Sequence, residues 1–248
     1  MKRTLILAVL FSVFSLAGTV RVAMAANVAY AIDDLTKAFN KIHPDTRIQV
    51  VLGSSGKLTA QIKHGAPFHL FLSANMKYPE ALYRQKIAKT KPRVYAEGTL
   101  ALFSVKPHDF SKGLKVLEAS DIRRIAIANE NTAPYGQAAV EALKSEKLYK
   151  KLKGKLIFAE SISQTVSYAM TAADIGFIAT SSLYSRQMKK YHRGVNWEEV
   201  DPSLYERIKQ GIVMLERAEG NKEAKAFYDF MLSSEAQNIL HRFGYHLP

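Results

Sequence analysis

The sequence predicts an α/β fold built on parallel strands and divided into two lobes, and three observations carry that reading. Short apolar runs at 48–52, 70–73, 125–128 and 175–179 alternate with segments whose apolar residues recur at helical spacing. A longer extended run at 99–103 is followed by the loop 107–112 and no helix, as expected of a strand leaving one lobe for another. The run Gly211-Ile212-Val213-Met214-Leu215 then reads as the return crossing. Two amphipathic helices, 223–232 and 235–243, finish the chain.

Taken in order, Met1-Lys2-Arg3 is a short basic region, and the apolar stretch 5–14 is too short to span a bilayer. Together they read as a secretory signal peptide. Ser15-Leu16-Ala17 and Ala23-Met24-Ala25 both offer small-x-small cleavage sites, the second the cleaner motif. Cleavage is assigned after Ala17, because 19–24 then becomes the first strand, which a later cut would delete. The expected organisation is therefore a signal peptide 1–17, a first lobe of 18–99 and 213–248, and a second lobe of 100–212.

Val28, Ile32, Leu35 and Phe39 fall at helical spacing, which puts Asn27 at an N-cap position. The strand 48–52 runs into Gly53-Ser54-Ser55-Gly56-Lys57-Leu58 and a helix that Gly65-Ala66-Pro67 closes. The apolar run 70–73 reads as a buried parallel strand. In the second lobe, strand 125–128 leads through Pro134-Tyr135-Gly136 into a helix reaching 148. Strand 156–158 leads through Ser161-Ile162-Ser163 into a helix of 164–171. Four turns thus share one grammar, a strand followed by small or polar residues and then a helix start. Free backbone N–H groups and the positive end of the helix dipole make such a start a site for an anion. An ordinary serine cap would explain one of these turns; four ask for a common purpose.

Composition narrows the function classes. With 248 residues and 48% hydrophobic content the chain can bury a sizeable core. The formal charge is +13; Lys2 and Arg3 account for two of it, leaving +11 after removal of 1–17. Such a field attracts anions. The basic residues are nevertheless scattered, and their densest groups, 144–155 and 186–193, read as solvated helix faces, so no nucleic-acid partner is expected. The absence of cysteine excludes disulfides, thiolate metal sites, a cysteine nucleophile and a lipid-modified N-terminal cysteine. The mature chain should therefore be free in a periplasm, or secreted, without a lipid anchor. No enzyme is expected: Lys57 stands where a Gly-x-Ser-x-Gly elbow needs its last glycine, and the seven histidines lack metal-ligand spacing. A Ser/His/Asp site assembled from distant residues stays open at this level. A ligand-sensing domain of a transcription regulator is disfavoured by the signal peptide.

Ala26-Asn27-Val28, the Gly53 to Leu58 turn with Gln61-Ile62 and Gly65-Ala66-Pro67, Leu70-Phe71-Leu72-Ser73-Ala74, Pro134-Tyr135-Gly136 and Gly176-Phe177-Ile178-Ala179 carry a specific resemblance. With the tail Ala226-Phe227-Tyr228-Asp229-Phe230 and Phe243-Gly244, the chain resembles the periplasmic molybdate-binding proteins of ABC transporters, the ModA family, over essentially its whole mature length. The resemblance implies a two-lobed, type II solute-binding fold, each lobe a mixed, mostly parallel sheet flanked by helices, joined by two crossing strands. It implies high-affinity capture of molybdate or tungstate and delivery to a membrane permease, by a monomer without a cofactor. It further implies that Asn27 and Ser55 donate from side chain and backbone, and that Tyr135 and Ile162 donate backbone N–H groups. Ala26 lies beside Asn27, where some members use a hydroxyl. These residues would meet the metal through the oxygens of the oxyanion, not by direct ligation. Two departures stand out: Ala179 occupies a position near which some members place a tyrosine hydroxyl, and His69 stands where the family often has Asp. Lys57 is expected to be solvated and Glu160 to point away from the ligand.

Overall fold

A computed structural model describes residues 18–247; the signal peptide assigned to 1–17 lies outside them. The first lobe runs β1 (Gly18–Ala25), α1 (Ile32–Ile42), β2 (Thr46–Gly53), α2 (Ser55–Lys63), β3 (Leu70–Ser73), α3 (Lys77–Arg84) and β4 (Arg93–Gly98). The second begins with β5 (Leu100–Phe103) and continues through β6 (Ile125–Ala128), α4 (Pro134–Ser145), α5 (Tyr149–Leu152), β7 (Leu156–Ala159), α6 (Ile162–Thr171), β8 (Ile175–Ala179) and β9 (Trp197–Glu199). The chain returns as β10 (Ile208–Met214) and ends in α7 (Lys222–Met231) and α8 (Ser234–Arg242).

Each lobe holds one five-stranded sheet, ordered β2-β1-β3-β10-β4 and β7-β6-β8-β5-β9. Both are mixed in equal parts: β1 and β6 run parallel to both neighbours, whereas β10 and β5 run antiparallel to both of theirs. β1 lies inside its sheet with Val20, Val22 and Met24 fully buried, so a cut after Ala25 would remove an interior strand.

Two expectations need correction. The return to the first lobe comes at Ile208, not at 213: Ile208 pairs with Gly98 and Lys209 with Glu97 in the first sheet. Lys209 and Gln210 interrupt the apolar pattern there, so backbone pairing decides what side-chain periodicity hides. The helix expected to reach 148 stops at Ser145, where Lys147 takes φ +58° before α5 begins.

The cores explain why the lobes hold. In the first, Phe39 from α1 meets Phe227 from α7 edge-on at 5.0 Å between ring centroids, over Val22, Met24 and Leu72 of the sheet. In the second, the fully buried Ile125, Ile127 and Phe177 are covered by Leu143 and Ala139 of α4. That core continues across the cleft to Ala25, Ala26 and Ala74 of the first lobe. Burial of each large side chain contributes about 1.5–3 kcal/mol.

Register positions the site. Ala25 pairs with Gly53, so β1 and β2 end level, and the turns that follow emerge side by side. Ala128 pairs with Ala159 in the same way at the ends of β6 and β7. All four turns therefore open from the carboxyl ends of parallel strands, the usual place for a ligand in such sheets.

Candidate anion-binding site

Between the lobes lies a small chamber whose lining is almost entirely buried. Its lining comes from all four turns: Ala25, Ala26 and Asn27; Gly53, Ser54 and Ser55; Ala133, Pro134 and Tyr135; and Ile162, with Ala74 from the end of β3. Every expected site residue (Ala26, Asn27, Ser55, Tyr135, Ile162) is in this lining, and none of the lining residues is charged at neutral pH.

Three helices begin at the chamber. Ser55 and Ile162 are the first residues of α2 and α6, and Tyr135 is the second of α4, whose Pro134 is suited to a first turn. Among the described residues no acceptor takes the backbone N–H of Asn27, Ser55, Tyr135 or Ile162. Neighbouring donors are satisfied inside the protein: Gly56 N–H donates to Thr132 O, Gly136 N–H to Ala133 O, and Gln164 N–H to the Ser161 hydroxyl. All four of these unpaired N–H groups belong to residues that line the chamber, and each helix end contributes roughly 0.3–1 kcal/mol of attraction for an anion, more when partly buried.

Ser55 is fully buried, and its Oγ accepts from Ala74 N–H at 2.9 Å. That bond fixes the oxygen and leaves the hydroxyl proton for the chamber. Ser54 makes no cap bond, and its Oγ is buried with no protein partner.

Asn27 differs from expectation in two ways. It is not an N-cap but lies inside a 3-10 turn, Ala26–Tyr30, that precedes α1. Its Nδ2 donates to Gln210 Oε1 at 3.0 Å and to the Tyr245 hydroxyl at 2.8 Å, so both amide protons are taken. What Asn27 offers the chamber is its main-chain N–H. The buried polar partners Gln210 and Tyr245, distant in sequence, draw the side chain away.

The flanking residues close the chamber. Tyr78 donates its hydroxyl to Asn131 O at 3.3 Å, and Ser181 Oγ donates to Asn27 O at 3.0 Å, both across the lobes. Lys57 and Glu160 form a 2.5 Å ion pair, about half exposed and outside the lining. Lys57 is therefore paired rather than merely solvated, and Glu160 is kept from the chamber by that pairing. Ala179 is buried in β8 and absent from the lining; nearby Ser181 donates its hydroxyl to a first-lobe carbonyl, so its acceptor is protein. At His69, Nδ1 accepts from Arg21 N–H at 3.0 Å, an acceptor role that Asp could fill equally. Burial, followed by the charges of Arg21 and Arg217, pushes the His69 imidazole below its usual range.

Burial also holds the phenols of Tyr95, Tyr135 and Tyr245 well above the ordinary tyrosine range, so each stays protonated and adds no negative charge near the chamber. The sequence reading missed Ser54, Gly53, Ala74 and Ala133 as lining, and Gln210, Tyr245 and Ser181 as supports. Small residues at strand ends were a usable signal for the first group; nothing local marks the second.

The chain matches the bacterial extracellular solute-binding protein family over residues 20–246. It is 35% identical over 235 residues to the molybdate-binding protein ModA of Azotobacter vinelandii, covering 93% of this chain and 91% of that one. It is 34% identical to ModA of Rhodobacter capsulatus, covering 92% of this chain and 88% of that one. The solved periplasmic molybdate-binding protein of Azotobacter vinelandii superposes with a TM-score of 0.84 at 32% identity, over 92% of this chain and 99% of that one. A sulfate-binding protein of Mycobacterium tuberculosis, at 11% identity and a TM-score of 0.74, shares the fold. This chain belongs to the bacterial extracellular solute-binding proteins, within the ModA family.

Proposed function

We propose that this protein captures molybdate or tungstate in the periplasm and hands it to the membrane permease of an ABC transporter. The observation that carries the reading is a closed, uncharged chamber on which unpaired N–H groups from four turns converge. The names of the relatives support the choice of oxyanion. The oxygens would be held by the N–H groups of Asn27, Ser55, Tyr135 and Ile162 and by the Ser55 hydroxyl, with Ala26 closing one wall and no bond to the metal itself.

Neutral donors suit a dianion: their bonds to it are charge-assisted, and their geometry is fixed by the fold. A protonated oxyanion would bring an O–H that these donors cannot accept, burying an unsatisfied group at a cost of about 1–3 kcal/mol. Phosphate, partly protonated at neutral pH, is disfavoured on that ground, and sulfate on its smaller size. The chamber has hydroxyls but no lining residue able to act as a general base, which supports a binding protein rather than an enzyme. No cofactor is needed for capture.

Capture works by closure. The oxyanion bridges the Asn27 and Ser55 turns of one lobe and the Tyr135 and Ile162 turns of the other, and the lobes hinge where β4 passes into β5 and the chain returns into β10. The closed monomer is the form that docks on the permease. Among the described residues no helix is long and apolar enough to cross a membrane. Secretion rests on the signal peptide 1–17, cut after Ala17. The interior position of β1 supports that cut, and N-terminal sequencing of the mature protein checks it, a start at Ala26 refuting it.

The test of function is isothermal titration of anion-free protein with molybdate, tungstate, sulfate and phosphate. Tight one-to-one binding of the first two with no heat from the others is expected. Absence of heat from all four refutes the reading.

A further inference from the structure

Two of the chamber turns, one from each lobe, are tied to a single buried carboxamide that is not itself part of the chamber lining. Gln210 is fully buried on β10, at the irregularity where the pairing of β10 with β4 shifts register. Its Oε1 accepts from Asn27 Nδ2 at 3.0 Å and from the Tyr95 hydroxyl at 3.4 Å, and its Nε2 donates to the Tyr135 hydroxyl at 3.2 Å. Asn27 belongs to the first lobe and Tyr135 to the second, and each offers the chamber a backbone N–H. Resting on the functional reading above, we propose that Gln210 is a positioning residue for oxyanion capture: it sets the Asn27 and Tyr135 turns relative to one another across the cleft.

The chemistry of the site calls for this residue type. The carboxamide can use both ends at once: its oxygen accepts from Asn27 Nδ2 while its Nε2 donates to the Tyr135 hydroxyl. The opposing side is cut to fit. A Cβ on Gly98, the last residue of β4 before the chain crosses, would lie 2.0 Å from the Tyr135 hydroxyl and 2.8 Å from Gln210 Nε2. The glycine therefore leaves the notch in which a phenol of the second lobe meets an amide of the first. Asn27 is held from its other side as well, since its carbonyl accepts from Tyr245 at 2.9 Å and from Ser181 at 3.0 Å. In the closed form Gln210 fixes Asn27 and Tyr135 relative to one another, so less ordering is left for the anion to impose.

The experiment is a double-mutant cycle on the full mature protein, reading Kd and the dissociation rate for molybdate in wild type, Gln210→Met, Tyr135→Phe and the double variant. Tyr135→Phe removes the hydroxyl and keeps the backbone N–H that faces the anion. Each single variant should weaken binding about tenfold, mainly through faster dissociation. The double variant should be little worse than either single one, because both break the same link. Kd values within twofold of wild type, or losses that simply multiply in the double variant, overturn the inference. Should Gln210→Met fail to fold, Tyr135→Phe decides alone, a Kd within twofold of wild type again overturning it. Wild-type protein that binds no molybdate overturns the functional reading and this inference with it; wild-type protein that binds beside variants that bind equally well overturns this inference alone.

Discussion

Gly56 sits in the first turn of α2, directly against the opposite lobe, and replacing it by alanine isolates lobe closure from lobe folding. A Cβ there would lie 2.9 Å from Thr132 Cα, 2.9 Å from the Tyr78 hydroxyl and 3.1 Å from Thr132 O. Two of those three atoms are backbone of the second lobe and cannot rotate away. The same approach strains the 2.8 Å bond from Gly56 N–H to Thr132 O. Overpacking of this kind costs about 1–3 kcal/mol, and it is incurred only when the lobes are closed. Within α2 itself the change is favourable, since alanine is better than glycine in a helix by roughly 0.5–1 kcal/mol. Gly56→Ala should therefore weaken molybdate binding roughly 5- to 150-fold, by the conversion of 1.4 kcal/mol per decade. The thermal midpoint of the anion-free protein should be unchanged or slightly raised. Isothermal titration and a thermal melt without anion give the two numbers. Unchanged affinity would mean that the bound state does not bring Gly56 against Thr132. A midpoint lowered by several degrees would mean that the glycine serves the fold of the first lobe instead.

Ser55→Ala removes the hydroxyl proton offered to the anion and should weaken binding by about 1.5–3 kcal/mol, ten- to a hundredfold. It also strips Ala74 N–H of its acceptor, so the anion-free midpoint should drop by a few degrees, at roughly 2–4 °C per kcal/mol for a chain of this size; unchanged titration would remove Ser55 from the ligand set. His69 supplies a pH dependence whose sign is fixed by its lowered imidazole. The unfolded chain takes up this proton first, so the contribution is complete above about pH 6.5 and is lost as pH falls from there through the folded value. His69→Asn, which keeps an acceptor for Arg21 N–H, should flatten that part of the stability curve in denaturant titrations between about pH 7 and 5; an identical slope in both proteins would refute the assignment.

The sequence by itself determined the alternation of strands and helices, because parallel strands buried on both faces read as unbroken apolar runs, as Ile125 to Ala128 and Leu70 to Leu72 do. It also determined that four strand ends run into small or polar residues and then into helix or 3-10 starts, since Ser55, Pro134 and Ser161 are local signals of a first turn. Family resemblance attached residues to those turns, and Ile162, which looks like an ordinary core residue, was legible by no other route. Only the tertiary structure decided what a local pattern cannot carry. Backbone pairing of Ile208 with Gly98 set the return to the first lobe, although Lys209 and Gln210 break the apolar run there. The side chain of Asn27 was turned from the chamber by Gln210 and Tyr245, 183 and 218 residues away. Convergence of the four turns on one chamber is likewise a product of strand register and of contact between lobes. A backbone N–H is present at every residue but proline, so the sequence marks where a donor can be free, and the fold decides which donors face the same point.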